Sequence, residues 1–215
     1  MHLKRQGTPK NWPIFRKGTK YIVKPRVDIQ KGVPVLIALR DILKVAQNKK
    51  EVKKAIYMKN ILLNQKPVRD ERSSVLLFDV ITFVPSKKNY RMSLTDKGKI
   101  QLEEIDEKDA GKKISKITGR KMVKGKKIQV NLGDGRNILS DKNHKINDSV
   151  IIDLKENKIS GHLPLKEGTE VLAFAGKHAG KGGKVKKIDE ENNTVEIDSE
   201  GKTTKVLIKQ LIVIK

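Results

Sequence analysis

From Ser93 onward the chain is a succession of short β-like segments, each cut off by a turn. The stretch KKISKITGRKMVKGKKIQVNL interleaves Ile114, Ile117, Met122, Ile128 and Val130 with basic residues, and Gly133-Asp134-Gly135 then signals a tight turn. DSVIIDLKENKISGHL reads as another strand pair, turning at Glu156-Asn157. Beyond Glu167 come a strand, a glycine-lysine loop, strands over Gly183–Ile188 and Thr194–Asp198 separated by an acidic turn, and a last segment from Lys205 to Ile214. A parallel sheet needs long crossover connections, usually helical. Here only IQLEEIDEKDAGKK offers a helical turn, so the pattern favours small antiparallel barrels.

The part before Ser93 reads differently. In PVLIALRDILKVA the apolar residues Leu36, Leu39, Leu43 and Ala46 recur at helical spacing, with Pro34 suited to the first turn. KKEVKKAIYMKN predicts a second helix with Val52, Ala55 and Ile56 inward. Its outer face stacks Lys49 over Lys53 and Lys50 over Lys54. Like charges at that spacing cost about 0.2–0.5 kcal/mol per pair, which points to an anion opposite. NILLNQKPVRD reads as a hairpin, with Ile61, Leu63 and Val68 around a polar Asn64-Gln65-Lys66 break, and SVLLFDVITFVP as one or two buried strands. The first 27 residues carry eight cations and no acid, and Gly7, Pro9, Pro13, Gly18 and Pro25 interrupt any regular element. Trp12, Phe15 and Tyr21 lie among the charges. Such a segment is either a loose tail with its aromatics tucked onto the next domain or an arm that becomes ordered against RNA.

Lysine and arginine outnumber aspartate and glutamate by 48 to 25, a net charge of +23. That excess predicts a polyanionic partner. A membrane is not expected: VLLFDVITFV is short and carries Asp79, against the roughly 20 apolar residues of a span. MHLKRQGTPK has no apolar core of a secretory signal. The chain has no cysteine, and its four histidines show no HExxH spacing, so neither a metal nor any other cofactor is expected, and the address is cytosolic. Aromatics at 4% argue against stacking base after base along a single strand and favour grip on phosphates and shape. The acids of the central region (Asp106, Asp109, Asp134, Asp141, Asp148, Asp153) sit at turns or between strands without a partnering His or Ser, so no enzyme and no small-molecule substrate is expected.

GKHAGKGGKVKKID, from Gly176 to Asp189, decides which phosphate is meant. A nucleotide-binding P-loop needs a Ser or Thr after its Gly-Lys and a helix beyond. Here Gly180-Lys181 precedes Gly182, five residues before Gly180 stands Ala175, and VKKIDEENNTVEI reads as a hairpin. The stretch instead resembles a KOW motif, carried by Gly176, Lys177, Gly180, Lys181, Gly183, Lys184 and Val185 in an SH3-like barrel. The two helices and the hairpin with Asn64, Lys66, Pro67 and Val68 resemble the S-four-type RNA-binding domain, over roughly Pro34 to Phe83. LGDGRNIL and INDSVIIDLKENKI resemble the central domain of one ribosomal-protein family. With the HLKR start, PKNW and LFDVI, the order of parts is identified as that of the S-four-e family of archaeal and eukaryotic small-subunit ribosomal proteins, the compact length being more archaeal.

The resemblance implies an α+β, predominantly β protein. Its parts would be a basic arm (1–33), an S-four-like two-helix/hairpin RNA-binding domain (34–92), a β-rich central barrel-like domain (93–166) and a C-terminal SH3-like KOW barrel (167–215). It implies a structural constituent of the small ribosomal subunit, partnered by small-subunit ribosomal RNA and neighbouring ribosomal proteins. Expected RNA contacts are Lys4, Arg5, Lys10, Trp12, Arg16 and Lys17 in the arm; Arg40, Lys44, Lys50, Lys53, Lys54 and Lys59 on the helices; and Lys177, His178, Lys181 and Lys184 at the loop, with Gly180 and Gly183 shaping its turn. The alternative is a transient RNA-binding ribosome-assembly or transcription-elongation factor with a KOW domain; the lysine-faced helix pair argues against an elongation factor.

Overall fold

A computed structural model describes residues 2–123, 127–140, 142–199 and 202–215. The chain divides into two compact units, the first comprising residues 1–95 and 99–111, the second 96–98 and 112–215.

In the first unit, β1 (Leu3–Lys4) pairs with β2 (Tyr21–Ile22), and β3 (Gly32–Pro34) leads into α1 (Val35–Ile37). This helix is apolar on every side, and Val35 through Leu39 are all buried, as suits a helix with no solvent face. It widens into a π turn over Ala38–Ile42, where the Leu43 N–H reaches back to the Ala38 carbonyl. Lys44, at φ +54°, then ends it. The expected helical stripe therefore stops short: Ala46 lies beyond the helix, packed against the core from the loop.

α2 (Lys49–Tyr57) forms as its pattern predicts, with Val52 and Ile56 buried. Its start is a reciprocal cap. The Asn48 side chain accepts from the Glu51 N–H at 3.0 Å, and the Glu51 carboxylate accepts from the Gln47 N–H at 2.7 Å. β4 (Ile61–Leu63) and β5 (Lys66–Pro67) form the expected hairpin. Asn64 and Gln65, both at positive φ, supply the turn without the glycine usual in the resembled family. The buried Asn64 amide also donates to the Asp79 carboxylate at 2.8 Å, tying the turn to the next strands.

The apolar run splits into β6 (Ser74–Leu76), paired with β3, and β7 (Val80–Phe83). β8 (Lys88–Leu94) and β9 (Ile100–Ile105) complete an antiparallel sheet in the order β5-β4-β7-β8-β9, followed by the short α3 (Glu107–Ala110). β8 runs through Ser93, where a domain start was expected, and pairs along its length with β9. The pairing holds residues 99–111 in the first unit.

The second unit holds two five-stranded antiparallel sheets. One has the order β12-β11-β10-β13-β14, from β10 (Lys112–Met122), β11 (Ile128–Leu132), β12 (Asn137–Ser140), β13 (Ser149–Asp153) and β14 (Lys158–Leu163). The other has the order β18-β17-β16-β15-β19, from β15 (Glu170–Ala173), β16 (Gly182–Asp189), β17 (Thr194–Ser199), β18 (Lys202–Leu207) and β19 (Leu211–Val213), with a 3₁₀ turn over Ile208–Gln210 before the last strand. Each sheet encloses its own apolar cluster, one around Ile117, Val130 and Ile152, the other around Val171, Ile197 and Leu211. The architecture is the predominantly β, α+β fold expected. Lys124, Lys126 and Asp141 of the sequence reading lie outside the described residues.

Candidate nucleic-acid interface

The arm is folded onto the first unit by its own side chains. Trp12 is 3% exposed and joins the core with Leu3, and the Asn11 carbonyl accepts from the Ile100 N–H at 2.9 Å. The Arg5 guanidinium donates to the Phe15 carbonyl at 2.7 Å and to the Thr19 carbonyl and hydroxyl, each at 2.8 Å. Arg16 donates to the Thr8 carbonyl at 3.1 Å. The arm thus carries an internal hydrogen-bonded scaffold, and Trp12, one of the expected RNA contacts, is packed into the core, as the reading with tucked aromatics expects. Lys4, Lys10 and Lys17 project from the surface, whereas Arg5 and Arg16 spend guanidinium donors on the arm itself.

At the end of the first helix, Arg40 forms a bidentate pair with Asp41, its closest contact 2.8 Å, while Lys44 is exposed. Arg5, Lys17, Arg40 and Lys44 all line one cleft of about 550 Å³ between the arm and this turn. On α2 the two stacked lysine pairs are not equivalent. Glu71 lies 2.9 Å from Lys49 and 3.9 Å from Lys53, so that pair carries its own counter-charge. Lys50 and Lys54 have no acid within ion-pair distance among the described residues, and Lys59 is exposed just past the helix end.

In the second unit, the loop between β15 and β16 is tied back at both ends. The Gly180 N–H donates to the Ala173 carbonyl at 2.7 Å and the Ala173 N–H to the Lys181 carbonyl at 2.9 Å. Gly180 sits at φ +90°, a left-handed conformation that favours glycine. Gly183 answers a different need: a Cβ there would stand 2.2 Å from the Asp198 carbonyl oxygen of the neighbouring strand. Lys177, Lys181 and Lys184 are exposed, and His178 is half-buried. Lys184 lies in register between Glu170 and Asp198 but forms an ion pair with neither.

The basic run of β10 is divided. Lys113 is buried, with its ammonium 2.7 Å from Asp134. Burial alone would raise the Asp134 carboxyl, but Lys113, the Arg136 N–H and the Arg136 guanidinium hold it below the ordinary carboxylate value. Lys116 donates to the Ile208 and Leu211 carbonyls, joining the central sheet to the last barrel strand; burial lowers its ammonium to about 8. Asp148 does have a histidine partner, contrary to expectation: His162 Nε2 lies 2.8 Å away. That carboxylate also accepts from the Leu165 N–H, so it ties two strands and a connection together. Among the described residues no group of three or more His, Asp or Glu is placed to hold a metal, and no helix is long and apolar enough to cross a membrane. Phe15, noted in the sequence only as one of the arm's aromatics, and Tyr57, which the sequence pattern did not single out, are each 88% exposed.

Comparison with known proteins then places the chain. The model of the ribosomal family S4e matches residues 86–159, and that of the RS4NT domain matches residues 1–27. A protein of Methanocella arvoryzae named small ribosomal subunit protein eS4 is 39% identical over 190 residues, covering 87% of this chain and 80% of that one. The protein of the same name from Methanosphaera stadtmanae is 34% identical over 220 residues, covering 99% and 91%. The crystal structure of the 30S ribosomal protein S4e from Thermoplasma acidophilum shares the fold, with a TM-score of 0.74 at 24% identity over 86% of this chain and 95% of that one.

Proposed function

The chain belongs to the S4e family of small-subunit ribosomal proteins, and from that premise we propose that it is a structural constituent of the small ribosomal subunit that grips ribosomal RNA. Its place of work is the cytoplasmic ribosome, and its partners are that RNA and neighbouring ribosomal proteins. The observation that carries the reading is the set of exposed, uncompensated ammonium groups. Lys4, Lys10, Lys17, Lys44, Lys50, Lys54, Lys59, Lys177, Lys181 and Lys184 have no acid within ion-pair distance among the described residues, while Glu71 and Asp134 are consumed internally. Left against water, such a density of like charge is self-repelling; against phosphates it becomes the binding energy. Phosphate contacts fix position and orientation without reading sequence, which suits an architectural role.

The test is sedimentation of a cell extract followed by a high-salt wash of the small-subunit fraction. One copy per subunit retained through the wash supports a permanent constituent. Substoichiometric protein that washes off would instead make it a visiting assembly factor.

A further inference from the structure

The cleft between the arm and the end of the first helix offers more than a phosphate grip needs. Cations alone suffice to hold backbone phosphates. Here a concavity of about 550 Å³ has an apolar lining that includes Pro13, Ile14, Ile22 and Ile37. That volume is within the range of about 300–1,000 Å³ typical of ligand clefts. Phe15, also in the lining, leaves 88% of its surface in solvent, although Ile14 beside it packs onto the core. Its backbone is nonetheless held, because the Arg5 guanidinium donates to the Phe15 carbonyl and, through its other nitrogens, to the carbonyl and hydroxyl of Thr19. Around this ring stand Arg5, Lys17, Arg40 and Lys44 against the single acid Asp41, which Arg40 already occupies. An aromatic plate, an apolar floor and a cationic rim together match an aromatic base joined to a phosphate.

We propose that this cleft receives one unpaired nucleotide of the bound RNA, its base against Phe15 and its phosphate against Lys17 and Lys44; the proposal rests on the RNA-binding reading above. Splayed-out bases stacked on aromatic side chains are how proteins add specificity to RNA otherwise held by shape and phosphates. The protein thereby gains one point of selectivity in an interface that is elsewhere indifferent to sequence.

Full-length protein is titrated with a perfectly paired RNA duplex and with the same duplex carrying one bulged 2-aminopurine nucleotide. The bulged duplex is expected to bind about tenfold tighter, in line with one base–aromatic stack, with the fluorophore quenched. Phe15→Leu, a change on an exposed side chain, is expected to abolish both the preference and the quenching while leaving the paired duplex within about twofold. Equal affinity for the two duplexes, or a preference that survives Phe15→Leu, overturns the proposal while leaving the RNA-binding reading intact. Failure to bind either duplex overturns both. Free adenosine monophosphate binding as tightly as the bulged duplex overturns the assignment to RNA and makes the cleft a soluble-nucleotide site.

Discussion

Lys113 of β10 shows how a side chain can add to the net positive charge and yet belong to the fold. Lys113, Ser115 and Ile117 alternate onto one face and are all buried. Asp134, delivered by the Gly133–Gly135 turn, meets the ammonium that this register sends inward. Asp134→Ala should cost about 3–5 kcal/mol in equilibrium denaturation, since it takes the carboxylate away from a buried ammonium, whereas Lys113→Met with Asp134→Leu should cost far less. An Asp134→Ala variant as stable as the parent would mean that the Lys113 charge does not depend on this carboxylate. His144 gives a second prediction. It is buried beside His162, with Ser140 3.2 Å from its ring, the Arg120 guanidinium 3.5 Å from its carbonyl, and Asp148 and Lys142 as further charged neighbours. Burial first, then His162 and Lys142, lower its pKa, with Asp148 opposing. The unfolded chain therefore takes up this proton first, and stability contributed by the neutral ring is present above the ordinary histidine value of about 6.5 and is lost as pH falls from there through the lower folded value. His144→Gln should flatten the decline in denaturation midpoint between neutral and mildly acidic pH; an undiminished decline would assign it to other groups. The alternation of β10 is legible in the sequence, but not which lysines face inward. Ile114 and Ile117 are three apart and cannot share a face of a regular strand, and a register shift follows between Ile117 and Gly119.

At the scale of elements, α2 was legible almost whole, because a 3.6-residue period, a capping Asn48 and Glu51 in the first turn all point the same way. α1 was legible as apolar but not in its length. Periodicity carried through to Ala46 says nothing of the left-handed Lys44 that closes the helix, a conformation a lysine accepts only when surrounding contacts demand it. Trp12 was ambiguous for a related reason: an aromatic among charges has the same sequence signature whether it waits for a base or anchors a strap. Nor could spacing reveal that Glu71, far along the chain, sits against Lys49 and Lys53. That asymmetry yields a prediction about the helix face. Lys50→Ala with Lys54→Ala should weaken RNA binding and flatten the log–log salt dependence by about two units. Glu71→Gln should do the reverse, steepening it by about one unit by releasing the other pair, with a stability loss of about 1 kcal/mol. Binding isotherms across a salt series decide; if both variants leave the slope where it was, the face is merely solvated.

For the whole molecule, the question is whether the cations act as one distributed charge or as separate grips. The ten exposed lysines named above divide among the arm, the helix region and the KOW loop, with Lys177, Lys181 and Lys184 in the second unit and the remainder in the first. If about ten phosphates are engaged, the slope of log affinity against log salt should be on the order of −7 to −9. Slopes count released ions and so should add: removing Lys50 and Lys54 takes away about two units, removing Lys177 and Lys181 about two more. Affinities should not add in the same way. Two units on one chain hold each other's partner segments at high effective concentration, so losing a second grip removes that advantage along with its own contacts. The fourfold variant should therefore bind more weakly than the two double variants multiplied together, while its salt slope remains their simple sum. Additive affinities with additive slopes would mean a diffuse electrostatic surface with no separate grips; slopes that fail to add would mean that the two surfaces do not occupy the same RNA at once.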